Sequence, residues 1–412
     1  MREAHAHLFQ LGRSLTMLDC SGCDSCEAML ERIAIRAQSL KPNDWVLAHS
    51  ARPEAWSQAQ TESKWPTRRE LDLASDGRAV CIWCFDYHSM AASTAALNHA
   101  QITDDTTIDR GVIELDSDGS PTGTLYEHAA LTLWSSVPAP QSSQRRALVL
   151  NACLHLKALD YTEIHDLKAQ PWLGEVLHDL HASGEVDQRF ELFPLVKDLD
   201  AALATRDQWE SDQLTLAGTK IFTDGSLNSR TAWMLEPYTD TNSHGTPMMS
   251  PQEIDEAMQI SKAHNLPVAA HAIGDAAVRA VLDSIEQTGC THMNARIEHA
   301  EIIHPNDIQR FAALGVIASI QPCHLLPDIE TLNAGLSDRF DRVLPMRALI
   351  ESGLVLGETL IFGSDVPIVR ADHEDSIQAA VHRRRDDMPE SQAIGLDQAL
   401  TVEESLACFN PA

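Results

Sequence analysis

The chain has 412 residues, of which 44% are hydrophobic and 22% charged, a composition typical of a globular protein with one large domain or two to three average ones. Its 31 Lys and Arg residues against 60 Asp and Glu residues give a formal net charge of −29, which argues against nucleic acid and anionic membranes as partners. No run of about 18 uncharged apolar residues occurs, and residues 1–12 lack the apolar core of a secretory signal.

The first predicted strand covers residues 3–8 and contains His5 and His7, two positions apart. Side chains at that spacing leave the same face of a strand, so both imidazoles would point to one site. Two imidazoles on one face suit Zn²⁺ or a similar borderline metal. Alone the pair is a weak signal, because the chain contains 19 histidines.

The next segment, residues 9–144, contains two strand-like pieces at 44–51 and 78–85 and many turn signals. A segment of this length is too long for a connecting loop and predicts an inserted subdomain. The Pro- and Ser-rich stretch 135–143 has the composition of a linker and would close the insertion.

Nine cysteines, spread widely through a large chain, indicate a reduced protein of the cytoplasm. Cys20, Cys23 and Cys26 form a C-x-x-C-x-x-C run that could bind a metal or an iron–sulfur cluster. The favoured interpretation is that they fill small apolar positions leading into a helix over 27–38, because a free thiol behaves as a small hydrophobic group. A metal centre would need a fourth ligand, and the sequence nominates none.

Seven more short apolar segments, each ending in a polar residue, predict strands at 161–167, 189–196, 218–224, 267–273, 295–301, 315–321 and 360–366. Helix-periodic stretches lie between most of them, at 250–265, 275–287, 305–314 and 339–352. Eight strands alternating with helices predict an α/β fold, a TIM (β/α)8 barrel of parallel strands. In this prediction residues 1–8 are the first barrel strand, residues 9–144 the subdomain over the barrel mouth, and residues 145–412 the remainder of the barrel.

His271, His299 and Asp365 each lie at or near the end of a different predicted strand, where barrel enzymes place catalytic groups. Lys220 lies inside another apolar strand, and a buried lysine is costly unless it is paired or neutralised. It could form a salt bridge with Asp224. Alternatively its amine could take up CO₂, and the carbamate would bridge two metals about 3.5–4 Å apart. Core packing alone hardly explains why ionisable residues occur in or at the ends of so many separate predicted strands.

Seven motifs from end to end of the chain resemble those of the YtcJ-like amidohydrolases, the group also known as amidohydrolase family 3. In chain order they are REAHAHL, TKIFTDGSLNSRTA, VAAHAIGDAAVRAVLD, RIEHAEIIHP, SIQPCH, FGSDVPIV and LTVEESLACFNPA. Weaker similarity covers FDYHSMAASTAAL and GVIELDSDGSPTGTLYEHA within residues 9–144. Several motifs together make the resemblance specific.

The resemblance implies a hydrolase with a metal-activated hydroxide and a divalent metal centre, by preference two Zn²⁺ ions. The implied metal ligands are His5, His7, Lys220, His271, His299 and Asp365. The first two histidines would hold one metal, the other two the second, and carbamylated Lys220 would bridge them. Asp365 would also take a proton from water and pass it to the leaving amine. A mononuclear site with an unmodified Lys220 is the alternative.

Four further residues match motif positions that would face the substrate pocket, and these are His88, Glu127, Arg296 and Gln321. Their roles are unassigned, and a structural role is equally open for each. The same resemblance implies that members carry a β-sandwich built from segments before the first barrel strand and after the last barrel helix. We expect this β-sandwich to be missing here, because the His-x-His pair begins at residue 5.

The activity implied is hydrolysis of a non-peptide C–N bond of a small molecule, such as an N-acyl or formamide-type amide. A lactone or ester hydrolase, or a deaminase, would use the same site. A non-catalytic binding or regulatory barrel is the alternative from another class of protein. We expect a small-molecule substrate, no nucleic-acid or membrane partner, and an assembly compatible with a homodimer.

Overall fold

The computed structural model describes residues 1–41, 43–53, 56 and 65–411. The chain divides into two compact units. The first unit comprises Met1–Gly12 and Arg145–Ala412, and the second comprises Arg13–Gln144. Within the described residues, no helix is both long enough and apolar enough to cross a membrane.

The strands, in chain order, are β1 (Arg2–Ala6), β2 (Leu18–Asp19), β3 (Val46–Ala51), β4 (Val80–Cys84), β5 (Ser89–Ala92), β6 (Gly111–Leu115), β7 (Pro121–Glu127), β8 (Glu163–Asp166), β9 (Arg189–Leu192), β10 (Leu214–Leu216), β11 (Thr219–Phe222), β12 (Val268–Ala272), β13 (Arg296–His299), β14 (Ile317–Ile320) and β15 (Leu360–Phe362).

The α-helices, in chain order, are α1 (Leu8–Ser14), α2 (Cys26–Ser39), α3 (Arg68–Ala74), α4 (Thr94–His99), α5 (His128–Ser135), α6 (Ser142–Lys157), α7 (Leu173–Ala182), α8 (Leu199–Trp209), α9 (Pro251–Ala263), α10 (Asp275–Thr288), α11 (Pro305–Leu314), α12 (Leu325–Gly335), α13 (Met346–Glu351), α14 (His373–His382) and α15 (Val402–Cys408).

The first unit is built on two parallel sheets, with strand orders β1-β8-β9-β10 and β11-β12-β13-β14-β15. Two isolated parallel bridges connect a strand of one sheet with a residue just beyond a strand of the other, Ala6 with Val366 and Leu195 with Lys220. Each of the eight strands predicted for this unit overlaps an observed strand, so the prediction of a parallel α/β fold is confirmed. The short strand β10 was not predicted.

Local sequence explains where several helices of this unit begin and end. The Ser250 side chain accepts a hydrogen bond from the Glu253 backbone, and Glu253 bonds back to Ser250, with Pro251 in the first turn of α9. Helices α10 and α11 each end at a left-handed glycine, Gly289 and Gly315. These helices confirm the predictions for 250–265, 275–287 and 305–314.

The predicted helix over 339–352 is wrong in its first half. The α-helix begins only at Met346, and Leu344 has a φ of 40°. The reason is Pro345, because proline offers no N–H and disfavours the helical conformation in the residue before it.

The second unit contains a six-stranded mixed sheet of order β2-β3-β4-β5-β7-β6. Strand β4 separates two apolar clusters by its alternating side chains: Val80, Ile82 and Cys84 lie in one cluster, and Cys81 and Trp83 in the other. The strands predicted at 44–51 and 78–85 are confirmed as β3 and β4.

Cys20 and Cys23 are buried in the first of these clusters, and Cys26 is partly buried against it. Among the described residues, no potential metal-binding group contains a cysteine. Burial raises the pKa of the Cys26 thiol to about 11. This packing agrees with cysteines that fill apolar positions and gives no support to an iron–sulfur cluster.

Candidate metal centre

His5 and His7 meet Asp365 at the junction of the first and last strands of the first unit. The Nε2 atoms of His5 and His7 lie 3.3 Å and 2.9 Å from Asp365 Oδ1. The Asp365 backbone N–H donates to the His5 carbonyl oxygen at 2.8 Å. This backbone hydrogen bond to His5, in β1, therefore fixes the position of Asp365, which follows β15.

His271 and His299 lie on neighbouring parallel strands, and their ring centroids are 4.5 Å apart. The His299 ring centroid is also 4.9 Å from that of His5, and its Nε2 is 4.0 Å from Asp365 Oδ2. His299 thus links the two pairs of predicted histidine ligands. The His271 Nε2 atom lies 3.1 Å from the Gly225 carbonyl oxygen.

The Lys220 side chain, on β11, is only 1% exposed. Its Nζ has no hydrogen-bond partner among the described residues and lies 5.0 Å from the centroid of the Phe222 ring. Asp224, the predicted alternative partner, instead accepts hydrogen bonds from the backbone N–H groups of Ile273 and Gly274. Burial lowers the pKa of Lys220 to about 8, although nearby carboxylates oppose this.

The electrostatics of this cluster favour neutral imidazoles at His5 and His299 beside an ionised Asp365. Burial lowers the pKa of His5 to about 4, and burial together with neighbouring imidazoles holds the pKa of His299 well below its ordinary value. Burial alone would raise the pKa of Asp365, but the imidazoles of His5 and His7 lower it below its usual range. These are the protonation states that metal ligands need.

Buried polar atoms without hydrogen-bond partners are a second reason why the cluster fits a divalent cation. The His7 Nδ1, Lys220 Nζ and His299 Nδ1 atoms are buried without a hydrogen-bond partner in the described part of the chain. A buried polar atom without a partner is costly, so three such atoms in one cluster of potential ligands favour a bound group there. The ligand atoms of His5, His299 and Asp365 lie within 4.8 Å of one another, and imidazole and carboxylate ligands suit Zn²⁺.

A second set of contacts orients His5. Its Nδ1 lies 2.7 Å from Glu298 Oε2, and Glu298 Oε1 accepts a hydrogen bond from Arg296 Nε at 2.7 Å. Such a carboxylate behind an imidazole fixes the orientation of the ring. Glu298 is missing from the sequence prediction, although a glutamate inside a buried strand was a signal for it.

Two predicted pocket residues lie in this same region. Arg296 Nη2 donates to the Ala4 carbonyl oxygen at 2.7 Å and to Ser319 Oγ at 3.0 Å. Gln321 Nε2 donates to the Ser319 carbonyl oxygen at 3.1 Å and lies 3.4 Å from His5 Nδ1. These contacts hold the strands and the His5 ring, and a role in substrate binding stays a prediction for both residues.

The other two predicted pocket residues, His88 and Glu127, lie in the second unit. The His88 Nδ1 atom is 2.9 Å from Glu127 Oε2, and the Glu127 backbone N–H donates to the His88 carbonyl oxygen at 2.8 Å. The structure therefore brings these two residues together. Their part in a substrate pocket stays a prediction.

His324, which follows β14, was not predicted as a site residue. Its Nδ1 lies 3.2 Å from Glu301 Oε1, its Nε2 lies 3.8 Å from Asp365 Oδ2, and its ring centroid is 5.5 Å from that of His299. Burial alone would lower the pKa of His324, but the hydrogen bond with Glu301 and nearby carboxylates raise it to about 9. The motif SIQPCH ends on this histidine and was the available signal.

Comparison with known proteins places these residues in a family. The family model described as "Amidohydrolase family" matches residues 1–409. The putative amidohydrolase YtcJ of Bacillus subtilis (strain 168) is 28% identical over 421 residues, which cover 99% of this chain and 77% of that protein. The N-substituted formamide deformylase of Arthrobacter pascens is 26% identical over 440 residues, which cover 100% of this chain and 78% of that protein.

Two solved structures of metal-dependent hydrolases also match this chain. An uncharacterized metal-dependent hydrolase from Pyrococcus horikoshii OT3 matches with a TM-score of 0.78 and 25% identity, over 99% of this chain and 79% of that chain. A second, from Pyrococcus furiosus, matches with a TM-score of 0.72 and 26% identity, over 99% of this chain and 80% of that chain. The resemblance found in the sequence motifs is confirmed.

Proposed function

The chain belongs to the amidohydrolase family and is a metal-dependent hydrolase, and on this premise we propose that it hydrolyses a non-peptide C–N bond in a small-molecule amide. The observation that carries the proposal is the convergence of four imidazoles and Asp365. The buried amine of Lys220 interacts electrostatically with Asp365 and His5 and has no hydrogen-bond partner among the described residues. An N-acyl or formamide-type amide is the substrate class, supported by the similarity to an N-substituted formamide deformylase.

The fold that we propose for the first unit is a closed TIM barrel. The bridge from Ala6 to Val366 joins the region of β1 to that of β15, and the bridge from Leu195 to Lys220 joins the end of β9 to β11. Closure in this way supports an active site at the carboxyl ends of the strands.

Two Zn²⁺ ions are the cofactors that we propose. His5 and His7 would hold one ion, His271 and His299 the other, and Asp365 would lie beside the first. Divalent zinc supplies Lewis acidity, which lowers the pKa of a water molecule towards neutrality and polarises a carbonyl group.

In this proposal Lys220 would carry a carbamate, whose anionic oxygens would serve as ligands for the two metal positions. The neutral amine nitrogen would attack the carbon of CO₂. A new N–C bond would form as one C=O π pair moves to oxygen, and one proton would leave the nitrogen for solvent. The lowered pKa of Lys220 supports the neutral amine that this step needs. The carbamate anion would pair with the metal cations, and this attraction would offset the free-energy cost of burying the Lys220 side chain.

Asp365 carries the proton during hydrolysis. Its ionised carboxylate accepts a proton from the attacking water and gives it to the leaving nitrogen as the C–N electron pair moves to that atom. The His5 backbone carbonyl and the His7 imidazole hold the carboxylate in place, because they contact its backbone N–H and its Oδ1.

The nine cysteines are all free, which supports a reducing, cytoplasmic setting for this activity. The cytoplasmic location is part of the proposal.

The test is activity as a function of metal. The purified full chain is stripped with a chelator and assayed with N-benzylformamide, N-acetyl-L-phenylalanine and p-nitrophenyl acetate, with and without added ZnCl₂ and bicarbonate. We expect amide hydrolysis that rises with zinc and rises further with bicarbonate. A chain that binds no divalent metal and gains no activity would overturn the proposal, whereas turnover of the ester alone would make it an ester or lactone hydrolase.

A further inference from the structure

A lysine that the proposed mechanism does not use lies close to the candidate metal centre. It is Lys168, two residues beyond the end of β8. Strand β8 pairs in parallel with β1, and Asp166 at its end lies opposite Ala6. Lys168 therefore follows β8 at the same edge of the sheet at which His7 follows β1.

The ring of Phe222 connects the Lys168 side chain with two of the proposed metal ligands. Lys168 Nζ lies 5.5 Å from the centroid of this ring, and Lys220 Nζ lies 5.0 Å from the same centroid. The centroids of the Phe222 and His271 rings are 5.3 Å apart. Phe222 and Lys168 are both partly exposed, so the ring and the ammonium group are accessible to a molecule bound beside the metal ligands.

Hydrogen bonds hold the backbone of Lys168 on both sides. Its N–H donates to Asp166 Oδ1 at 3.1 Å, and Asp166 Oδ2 accepts a hydrogen bond from the Leu8 backbone at 2.7 Å. Gln170 Nε2 donates to the Lys168 carbonyl oxygen at 2.9 Å. A side chain that extends from a fixed backbone loses less conformational freedom when it binds a ligand.

The ammonium group of Lys168 has no hydrogen bond or ion pair with another residue in the described ranges. Burial and the positive charge of Lys197, an exposed lysine that follows β9, lower the pKa of Lys168. The carboxylates of Asp365, Asp166 and Asp198 act in the opposite direction, but none of them forms an ion pair with it. Two neighbouring cations without a bonded carboxylate are stabilised by a bound anion.

We propose that Lys168 binds an anionic substituent of the substrate, so that the hydrolase selects amides that carry a carboxylate group. This inference rests on the proposed amide hydrolysis and names the substrate class within it. Lys197 adds positive potential at the same place, and the Phe222 ring offers an apolar surface next to it. Such a cationic position offsets the repulsion between an anionic substrate and a chain whose net charge is −29.

A competing role for Lys168 is structural, because an ammonium group within about 6 Å of an aromatic ring centroid is attracted to the ring. The two roles differ in what the removal of the charge changes. Loss of a structural contact with Phe222 would lower Tm and affect all substrates alike. Loss of a substrate partner would lower kcat/KM for anionic substrates and leave that for uncharged substrates in place.

The experiment uses two pairs of amides, and the members of each pair differ in a carboxylate group. N-formyl-DL-phenylalanine is compared with N-formyl-2-phenylethylamine, and N-benzylsuccinamate with N-benzylbutanamide, so that the carboxylate is tested on either side of the amide. Zinc-loaded wild type, Lys168→Met and Lys168→Arg are assayed with all four amides. Lys157→Met, which changes an exposed lysine, is the matched control. Zinc content and Tm are measured for every variant.

We expect wild type to prefer the anionic member of at least one pair. Lys168→Met should lower kcat/KM for that substrate about 10- to 100-fold, because a hydrogen bond to a charged group is lost. The uncharged amides should stay within about twofold of their wild-type kcat/KM. Lys168→Arg should keep most of the preference, because the positive charge remains, and Lys157→Met should match wild type.

Equal losses for anionic and uncharged amides would make Lys168 a structural residue, and an unchanged preference in Lys168→Met would remove it from substrate binding. A wild type that hydrolyses the uncharged amides as well as the anionic ones would overturn the inference and leave the proposed hydrolase intact.

A wild type that hydrolyses none of the four amides would overturn the proposed function. Calorimetric titration with N-formyl-DL-phenylalanine then decides the inference separately. A larger Kd in Lys168→Met than in wild type and Lys157→Met would support an anion site at Lys168, and an equal Kd or no binding to wild type would overturn it.

Discussion

Three non-glycine residues at or next to the candidate metal centre have a left-handed backbone conformation. His299 has a φ of 72°, Ala300 of 45° and Asp365 of 65°, all in the left-handed region that non-glycine residues rarely adopt. Each such residue costs about 1–3 kcal/mol, and the surrounding hydrogen bonds must hold it in place. The bond from the Asp365 N–H to the His5 carbonyl oxygen is one of them. Strain at these residues aims their side chains into the site.

The variant Asp365→Asn separates the charge of this residue from its backbone conformation. Asparagine adopts the left-handed region more readily than most residues, so the backbone should not change. We expect the variant to keep bound metal and lose most turnover, because the amide cannot accept the proton from water. Zinc content and kcat check this, with the exposed Asp187→Asn as control. Near-normal activity would exclude Asp365 as the base.

Lys220→Met tests the carbamate. Methionine has a similar length, and it removes a buried amine that lacks a hydrogen-bond partner in the described part of the chain. We therefore expect the metal-free variant to unfold at the same temperature as wild type or a higher one. The zinc-loaded variant should bind fewer zinc ions and lose its response to bicarbonate. A bicarbonate response equal to that of wild type would contradict carbamate formation at this lysine.

The elements of the first unit bring the site together through parallel pairing. Strands β12 and β13 pair with Ala272 opposite His299, and β11 and β12 pair with Lys220 opposite Ala269. Because all strands of a parallel sheet run in one direction, residues near their carboxyl ends meet at one edge. The histidines and the lysine that lie far apart in the chain are thus brought onto neighbouring strands.

The last helix, α15, offers a prediction about stability. The Thr401 side chain and Glu404 form a capping box at its N-terminus, and the two Glu404 oxygens accept hydrogen bonds from Arg347 at 2.8 Å and 2.7 Å. Glu404→Ala should lower the free energy of unfolding by about 1 kcal/mol, whereas Glu404→Gln keeps the box and should lose less. Urea denaturation measures both variants, and equal losses would mean that the box contributes nothing.

The same glutamate predicts a pH dependence. Its hydrogen bonds with Arg347 and with the Thr401 backbone lower the pKa of Glu404 to about 2. A carboxylate with a lowered pKa contributes stability above its ordinary pKa of about 4.3, and this contribution is lost as the pH falls towards 2. The stability difference between wild type and Glu404→Gln should therefore shrink over that range. A difference that stays constant from pH 6 to pH 3 would contradict this.

At the scale of the whole molecule, bound metal should stabilise the folded chain. A ligand that binds only the folded state, at about 100 times its Kd, adds about 2.7 kcal/mol to the free energy of unfolding. Chelation of the purified protein should lower Tm, and added ZnCl₂ should restore it. In Asp187→Asn the Tm shift should equal that of wild type, while in Lys220→Met it should be smaller. A Tm that does not respond to zinc would argue against a metal site formed by folding.

The sequence by itself determined eight strands of the first unit and the main ligand candidates. Short apolar segments ending in polar residues predicted the eight strands, because buried parallel strands are apolar along their whole length. The rule that parallel strands present their carboxyl ends together then singled out His5, His271, His299 and Asp365. At Pro345 the periodic pattern of apolar residues predicted a helix, but the proline prevents the backbone before it from becoming helical.

Only the tertiary structure decided which side chains touch. The contact between His5 and Glu298 joins residues 293 positions apart, and that between His324 and Asp365 depends on the packing of two separate strands. Such pairs follow from strand register and from side-chain direction, which no local pattern encodes. The same holds for Lys220: the sequence predicted that it is buried, but the structure alone shows that its amine has no hydrogen-bond partner among the described residues.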